Sequence, residues 1–245
     1  MTMDKHFQSL LANASTGSKQ KLVMPEEYLK MGQGGCSKKN QITPHKISGK
    51  LIKVHLSGAD VRYISEFYSE EESLEFFNLL TNSLFSESSI WDRFGKGRFV
   101  AQWSHPANMR YIFSDVEYIA HEFPGWIDRV RLDIIALLSP VYGADQCAFN
   151  YCVGNYYADG QAGVNWHTDS ESQIVPGCPI ACVSFGAERI FSLARIFNAS
   201  EQINIPLESG SVIVMAGDCQ RNYLHSIGKE ENRRGRFSLT FRVNR

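Results

Sequence analysis

The sequence predicts an α+β domain in which helices pack on the outside of a β-sandwich or barrel. Two segments with helical periodicity come first, and about seven short apolar runs separated by Gly, Asn, Asp and Pro follow them. Such runs are typical of sandwiches and barrels, and the helices must bury their apolar faces against the sheet. The 245 residues are 43% hydrophobic and 21% charged, which excludes a disordered or fibrous protein.

The first 50 residues differ from the rest because they are rich in Ser, Lys, Gln, Asn and Gly and show no sustained period. We predict a flexible N-terminal arm at 1–50 and one folded domain at 51–245. The chain has no run of about 18 apolar residues and no apolar N-terminal segment of the secretory type. Its six cysteines include no CxxC pair. These features predict an intracellular protein, nuclear or cytoplasmic, with buried thiols and no membrane contact.

Two helices are predicted in the first part of the domain. Ser69 and Glu72 form a capping box, which marks the start of the first helix. Apolar residues then recur at helical spacing: Leu74, Phe77, Leu80 and Leu84. A second helix should begin near Pro124. Its apolar face is expected to contain Trp126, Ile127, Val130, Ile134, Leu137 and Leu138.

After Ser139 the pattern changes from helical to β. Short apolar runs alternate with turn residues. The predicted strands are Ala148–Tyr157, Val164–Thr168, Ile180–Phe185, Arg189–Ala194, Ser211–Ala216 and Phe237–Val243. Between the two helices, the segment 93–115 is rich in aromatic residues and has no clean period.

A candidate metal site lies in the segment NWHTDSE. His167 and Asp169 are two residues apart, so on a strand both side chains point to one face. His225 follows the predicted strand Ser211–Ala216 much later in the chain. Two histidines and one carboxylate on one face of an iron leave three positions open, which is the facial triad of non-heme Fe(II) oxygenases. By itself the pattern is not specific, because HxD also arises by chance.

The C-terminal strand RFSLTFR places four polar or charged residues on one face: Arg236, Ser238, Thr240 and Arg242. A guanidinium pairs with a carboxylate through a bidentate fork, so one dicarboxylate would satisfy both arginines. Upstream, Asn155 and Tyr157 share a face and offer hydrogen-bond donors to a carboxylate. The alternative readings are a surface strand with solvated arginines and an ordinary strand end.

Six motifs follow one another between Phe149 and Arg242: NYYADG, NWHTDSE, PIACVSFGAERIF, IPLESGSVIVMAG, YLHSI and RFSLTFR. Together they resemble the AlkB family of Fe(II)/2-oxoglutarate-dependent dioxygenases, most closely its eukaryotic DNA/RNA alkylation-repair branch. The upstream segment RFVAQWSHPANMRYIFS resembles the nucleotide-binding lid of that family more loosely. The resemblance implies a double-stranded β-helix, or jelly roll, at 148–245, preceded by helices and the lid at 51–147.

The resemblance also implies a role for each matching residue. His167, Asp169 and His225 would bind Fe(II) as the catalytic centre. Arg236 would pair with the far carboxylate of the cosubstrate 2-oxoglutarate, and O₂ would be the second cosubstrate. The residues that help to hold 2-oxoglutarate would be Asn155, Tyr157, Ser238 and Arg242. The family usually has Asn where this chain has Ser238, so a weaker or water-mediated contact is expected there.

The implied reaction is oxidative demethylation of nucleobases of the 1-methyladenine or 3-methylcytosine type, in DNA or RNA. It would release formaldehyde, succinate and CO₂. Glu171 matches the acidic residue that hydrogen-bonds the damaged, cationic base. The base must be single-stranded or flipped out of a duplex. Stacking candidates are Trp103, Tyr111 and Phe113, and phosphate-contact candidates are Arg98, Lys229, Arg233 and Arg234.

Other interpretations stay open at this point. The same core could hydroxylate another substrate class: a base that keeps its product, a protein side chain or a small molecule. It could also be an inactive binding module with a degenerate iron site, although the intact HxD pattern, His225 and the paired arginines argue against that. The aromatic residues could pack in the core, and the basic residues could be solvated. A monomer is expected.

Overall fold

The computed structural model of the protein describes residues 49–245 except 88, 114 and 115. Nearly all of the predicted N-terminal arm lies outside these residues. In chain order the elements are β1 (Ile52–Val54), β2 (Asp60–Ile64), α1 (Glu70–Ser86), β3 (Asp92–Arg93), β4 (Arg98–Ser104), β5 (Arg110–Phe113), β6 (Val116–Ile119), β7 (His121–Glu122), α2 (Gly125–Tyr142), β8 (Tyr151–Tyr157), β9 (Val164–His167), β10 (Ile180–Gly186), β11 (Arg189–Arg195), β12 (Asn198–Leu207), β13 (Val212–Ala216), α3 (Cys219–Asn222), β14 (Tyr223–Ile227) and β15 (Arg236–Arg242).

Two main sheets form the centre of the domain. The larger sheet has the strand order β1-β2-β13-β10-β15-β8-β4-β3, with β7 added in parallel beside β4. The smaller sheet has the order β12-β11-β14-β9, and β5 and β6 form a separate hairpin. One apolar cluster joins residues of β2, β10 and β13 to residues of β11, β12 and β14, so the two sheets pack face to face. This strand-rich mixed fold is consistent with the predicted jelly roll.

The first helix confirms the capping box but not the whole predicted apolar face. Ser69 Oγ accepts from the Glu72 N–H at 3.2 Å, and the Glu72 carboxylate accepts from the Ser69 N–H at 3.1 Å. The buried residues of α1 are Ser73, Phe76, Leu80, Ser83, Leu84 and Phe85. Leu74 is 59% exposed, so its assignment to the buried face is wrong. The stripe that meets the sheet runs through 73, 76, 80 and 84, and Leu74 lies outside it.

The second helix begins directly after Pro124, as predicted. It buries Ile127, Val130, Ile134 and Leu138 against the larger sheet, and the predicted face members Trp126 and Leu137 are partly buried. The helix continues through Pro140 to Tyr142, where Gly143 with φ of 90° follows. The change to β structure therefore comes later than the predicted point after Ser139. No helix in the described residues is long and apolar enough to span a membrane.

All six predicted strands are present, with ends shifted by up to three residues. Several strands were not predicted, including β12, β14 and β4. Every residue of β4 is buried, so neither face of this strand is exposed to solvent. The larger sheet contains β1, β2 and β4 as well as later strands. The larger sheet therefore combines strands from both sides of the predicted boundary at residue 147.

Candidate active site

A pocket between the two sheets collects most of the predicted site residues. Its wall on the larger sheet comes from β4, β8 and β15, whose pocket-facing residues lie in register: Tyr157 pairs with both Arg98 and Arg236, and Asn155 pairs with both Val100 and Ser238. The opposite wall comes from the smaller sheet, including His167 and His225. The alternation predicted for RFSLTFR is confirmed, because Arg236, Ser238, Thr240 and Arg242 all line the pocket.

The three predicted metal ligands lie together in this pocket. His167, at the end of β9, and His225, on β14, are directly paired in the sheet, and their ring centroids are 4.1 Å apart. Asp169 follows β9 by two residues, and its Oδ1 lies 3.6 Å from His167 Nε2 and 4.0 Å from His225 Nε2. One ligand atom from each residue lies within 4.8 Å of the others. Such a group can hold one divalent metal ion.

The protonation states of this group suit a metal. Burial lowers the pKa of His225 to about 4, so its imidazole is neutral near neutral pH. Burial acts to raise the pKa of Asp169, but Arg242, His225 and His167 outweigh it and lower that pKa below its usual value. His167 Nδ1 lies 2.8 Å from the Asn165 carbonyl oxygen, which favours a proton on Nδ1 and leaves Nε2 available. The neutral imidazole of His225 and the ionised carboxylate of Asp169 are ligands that Fe(II) takes.

Arg236 has the features of an anion anchor. Its side chain is 1% exposed and donates to Ser184 Oγ at 2.9 Å. Its Nε and Nη1 have no hydrogen-bond partner among the described residues, and neither has Oδ1 of Asn155, which lines the same pocket. Tyr157 lies under the guanidinium, 5.3 Å from its ring centroid. A buried charge with unpaired donors is costly, so the pocket favours an anion at this end.

Arg242 forms an ion pair within the protein, whereas Arg236 has no acidic partner among the described residues. It donates to Tyr111 Oη at 2.6 Å and to Asp169 Oδ2 at 3.4 Å. Burial acts to lower the pKa of Arg242, but Asp169, Tyr111 and Glu171 outweigh it and raise it. Its Nε is buried with no hydrogen-bond partner among the described residues, so the expectation that Arg242 also helps to hold a dicarboxylate stays a prediction. Its guanidinium is balanced by Asp169 and orients that carboxylate.

Trp103 does not lie in the pocket, which corrects its prediction as a base-stacking residue. Alternate residues of β4 face opposite sides of the sheet, so Arg98, Val100 and Gln102 line the pocket and Trp103 faces the helices. Its ring lies 5.6 Å from that of Trp91 and is 1% exposed. It packs so closely over Gly154 that a Cβ there would lie 2.6 Å from the indole.

Of the other residues predicted to contact the substrate, Tyr111, Glu171 and Arg98 line the pocket. Tyr111 lines the pocket and stacks on Tyr151 with a centroid distance of 5.0 Å. Glu171 lines the pocket too, and its Oε2 is buried with no hydrogen-bond partner in the described part of the chain. Arg98 is 9% exposed, with its guanidinium 4.4 Å from the centroid of the Phe94 ring. The side chain of Phe113 lies outside the described residues.

The residues predicted to contact phosphates differ in their exposure. Lys229 and Arg234 are exposed, whereas Arg233 is partly buried. Arg233 forms ion pairs with Glu230 at 2.9 Å and Glu188 at 3.6 Å. Part of the charge of Arg233 is therefore balanced within the protein.

The polar residues of the pocket region that were not predicted include Ser184 and Gln102. Ser184 supports Arg236 as described, and Gln102 lines the pocket and accepts a hydrogen bond from the Tyr151 hydroxyl. The signal for Gln102 was its spacing of four from Arg98, which places both side chains on one face once β4 is recognised as a strand. Ser184 lies within a buried strand and has no local signal.

Comparisons with known proteins relate the chain to oxygenases that use Fe(II) and 2-oxoglutarate. The profile of the 2OG-Fe(II) oxygenase superfamily matches residues 60–242. The alpha-ketoglutarate-dependent dioxygenase alkB homolog 3 of Mus musculus is 36% identical over 105 residues, which are 39% of this chain and 36% of that protein. The DNA oxidative demethylase ALKBH2 of Arabidopsis thaliana is 29% identical over 218 residues, which are 76% of this chain and 67% of that protein.

The alignment with the alkB homolog 3 proteins thus spans only about a third of their length. Among solved structures, OsALKBH1 superimposes with a TM-score of 0.57 at 15% sequence identity. The match covers 80% of this chain and 100% of that one. At this identity the likeness concerns the fold.

Proposed function

Because the chain belongs to the AlkB family within the 2OG-Fe(II) oxygenase superfamily, we propose that it demethylates N-alkylated nucleobases in DNA or RNA. The observation that carries the proposal is that one pocket contains three chemically different groups. These are the His167–Asp169–His225 group, the buried guanidinium of Arg236 and the carboxylate of Glu171. They suit a metal, an anionic cosubstrate and a cationic base, respectively.

The superfamily implies Fe(II), 2-oxoglutarate and O₂, and the residues of the pocket fit them. His167, Asp169 and His225 would hold the metal. Arg236 would pair with the far carboxylate of 2-oxoglutarate, with Asn155, Tyr157 and Ser238 beside it. When bound, Fe(II) and 2-oxoglutarate supply the O₂-dependent oxidation of an unreactive methyl C–H bond. Succinate, CO₂ and formaldehyde are the expected products.

The protein's own contribution is orientation in a site shielded from water. Arg242 holds the carboxylate of Asp169 and the hydroxyl of Tyr111 at the same time, so the metal-ligand loop and the β5 strand keep a fixed relation. Glu171 would accept a hydrogen bond from the alkylated base. Because 1-methyladenine and 3-methylcytosine are cationic, a carboxylate with a buried, unpaired oxygen favours them over the neutral unmodified bases.

The position of the pocket between two sheets favours a base that leaves its stack. A single-stranded substrate, or a base flipped from a duplex, would reach it. The exposed Lys229 and Arg234 would then contact phosphates of the strand, and Arg98 and Tyr111, which line the pocket, would contact the inserted nucleotide. We infer a monomer that acts in the nucleus or the cytoplasm, where such substrates are found.

Nucleoside mass spectrometry tests the proposal directly. The protein would be incubated with Fe(II), 2-oxoglutarate, ascorbate and a pool of N-methylated single- and double-stranded DNA and RNA oligonucleotides, with His167→Ala as control. Loss of a methyl mark with the wild type alone would establish demethylation and identify the base and the strand type. If every mark persisted while succinate formed, the substrate would belong to another class.

A further inference from the structure

The side chain of Gln220 connects two residues of the pocket from outside it. Gln220 belongs to α3, between β13 and β14, and is partly buried. Its Oε1 accepts a hydrogen bond from the backbone N–H of Asp169 at 2.9 Å. Its Nε2 donates to the Sδ of Met215 at 3.4 Å. Both Asp169 and Met215 line the pocket.

The orientation of this amide follows from the chemistry of its partners. A backbone N–H can only donate, so the amide oxygen of Gln220 must face Asp169. The amide nitrogen then faces the thioether of Met215, which is a weak acceptor. Both ends of one side chain are therefore used, and Gln220 joins the loop after β9 to β13. Asp169 and Met215 have no such link through the sheets, because β9 and β13 belong to different sheets.

We propose that Gln220 is a positioning residue for the metal ligand Asp169. Asp169 is held at two points: Gln220 binds its backbone, and Arg242 binds its carboxylate. Its loop begins where β9 ends, at His167, so the ladder that holds His167 opposite His225 does not extend to Asp169. The Gln220 contact supplies the missing restraint. This inference rests on the proposed metal centre.

The proposal predicts weaker metal binding when the acceptor is lost. Residues that orient a ligand typically change metal affinity by about 10–100-fold when they are removed. Gln220→Leu keeps most of the side-chain volume and removes both hydrogen bonds, so it should raise the Kd for Co(II) by about that factor. Gln220→Glu keeps an oxygen acceptor and loses the donor to Met215, so its Kd should stay within about threefold of the wild type.

The test is a titration of the full chain with Co(II) in the absence of cosubstrates, followed by visible absorption. Gln202→Ala, on the exposed face of β12, serves as the matched control. Thermal unfolding without metal checks that each variant folds. The inference would be overturned if Gln220→Leu bound Co(II) as tightly as the wild type. It would also be overturned if Gln220→Leu and Gln220→Glu lost the same amount of Co(II) affinity. If the wild type and Asp169→Ala bound Co(II) equally, the proposed metal centre itself would be wrong.

Discussion

Replacement of Arg236 by Met tests whether this arginine binds the cosubstrate or only stabilises the fold. In the protein the guanidinium makes one hydrogen bond, to Ser184, and lies over the Tyr157 ring, while Nε and Nη1 have no partner in the described residues. A carboxylate that accepts from both of these nitrogens forms two charge-assisted hydrogen bonds. At about 1.5–3 kcal/mol each, their loss should cost about 3 kcal/mol or more of binding free energy.

That free energy corresponds to an increase of about 100-fold or more in the Kd for 2-oxoglutarate. The stability of the protein without ligands should change little, by about 1 kcal/mol, because the variant loses one hydrogen bond and removes a buried charge. Arg236→Lys keeps the positive charge but lacks the planar guanidinium fork. Its Kd for 2-oxoglutarate should therefore lie between those of the wild type and Arg236→Met.

Isothermal titration calorimetry with 2-oxoglutarate would measure these values, with Mn(II) in place of Fe(II) to prevent turnover. Arg195→Met is the matched control, because Arg195 forms an exposed ion pair with Glu201 on the hairpin of β11 and β12. Urea unfolding without ligands would measure stability. An unchanged Kd for Arg236→Met, together with a loss of several kcal/mol of stability, would show that the guanidinium is structural and would refute the reasoning.

Three further predictions concern the metal, the base and pH. Asp169→Ala should abolish succinate formation while circular dichroism shows an intact fold; retained turnover would contradict the metal assignment. Glu171→Ala should reduce demethylation of a 1-methyladenine oligonucleotide by at least about tenfold, since a buried charged hydrogen bond is lost, and should change succinate formation without nucleic acid far less. Equal losses in the two assays would remove its role in base recognition. Burial acts to raise the pKa of Glu230, but hydrogen bonds from the Ile190 backbone and Arg233 and the charge of Arg189 lower it below 4.5. This carboxylate therefore stabilises the fold above its unfolded pKa, and the contribution disappears as pH falls through the folded value. Glu230→Gln should be less stable than the wild type at about pH 6, and chemical unfolding at lower pH should show the gap closing. A gap that does not depend on pH would contradict this account.

The sequence predicted correctly those elements that depend on interactions between residues close together in the chain. The capping box of Ser69 and Glu72 involves residues three apart, and it is present as predicted. The six predicted strands were marked by short-range alternation and turns. By contrast, β4 was missed and Leu74 was assigned to the wrong face. Elements far away in the chain decide which side of a helix or strand is covered. The missed strand β4 and the exposed side chain of Leu74 both result from this dependence.

The candidate site shows the same difference between features set by local sequence and features set by long-range packing. His167 and Asp169 are two residues apart, so their proximity was predictable from the sequence, which also indicated His225 as a third ligand and Arg236 as a partner for a carboxylate. Only the tertiary structure decided that Arg242 pairs with Asp169 while Arg236 keeps two donors unpaired. It also decided that Gln102 faces the pocket and Trp103 the helices. The partner of a buried charge and the covered face of a strand are set by packing between distant segments, which no local pattern encodes.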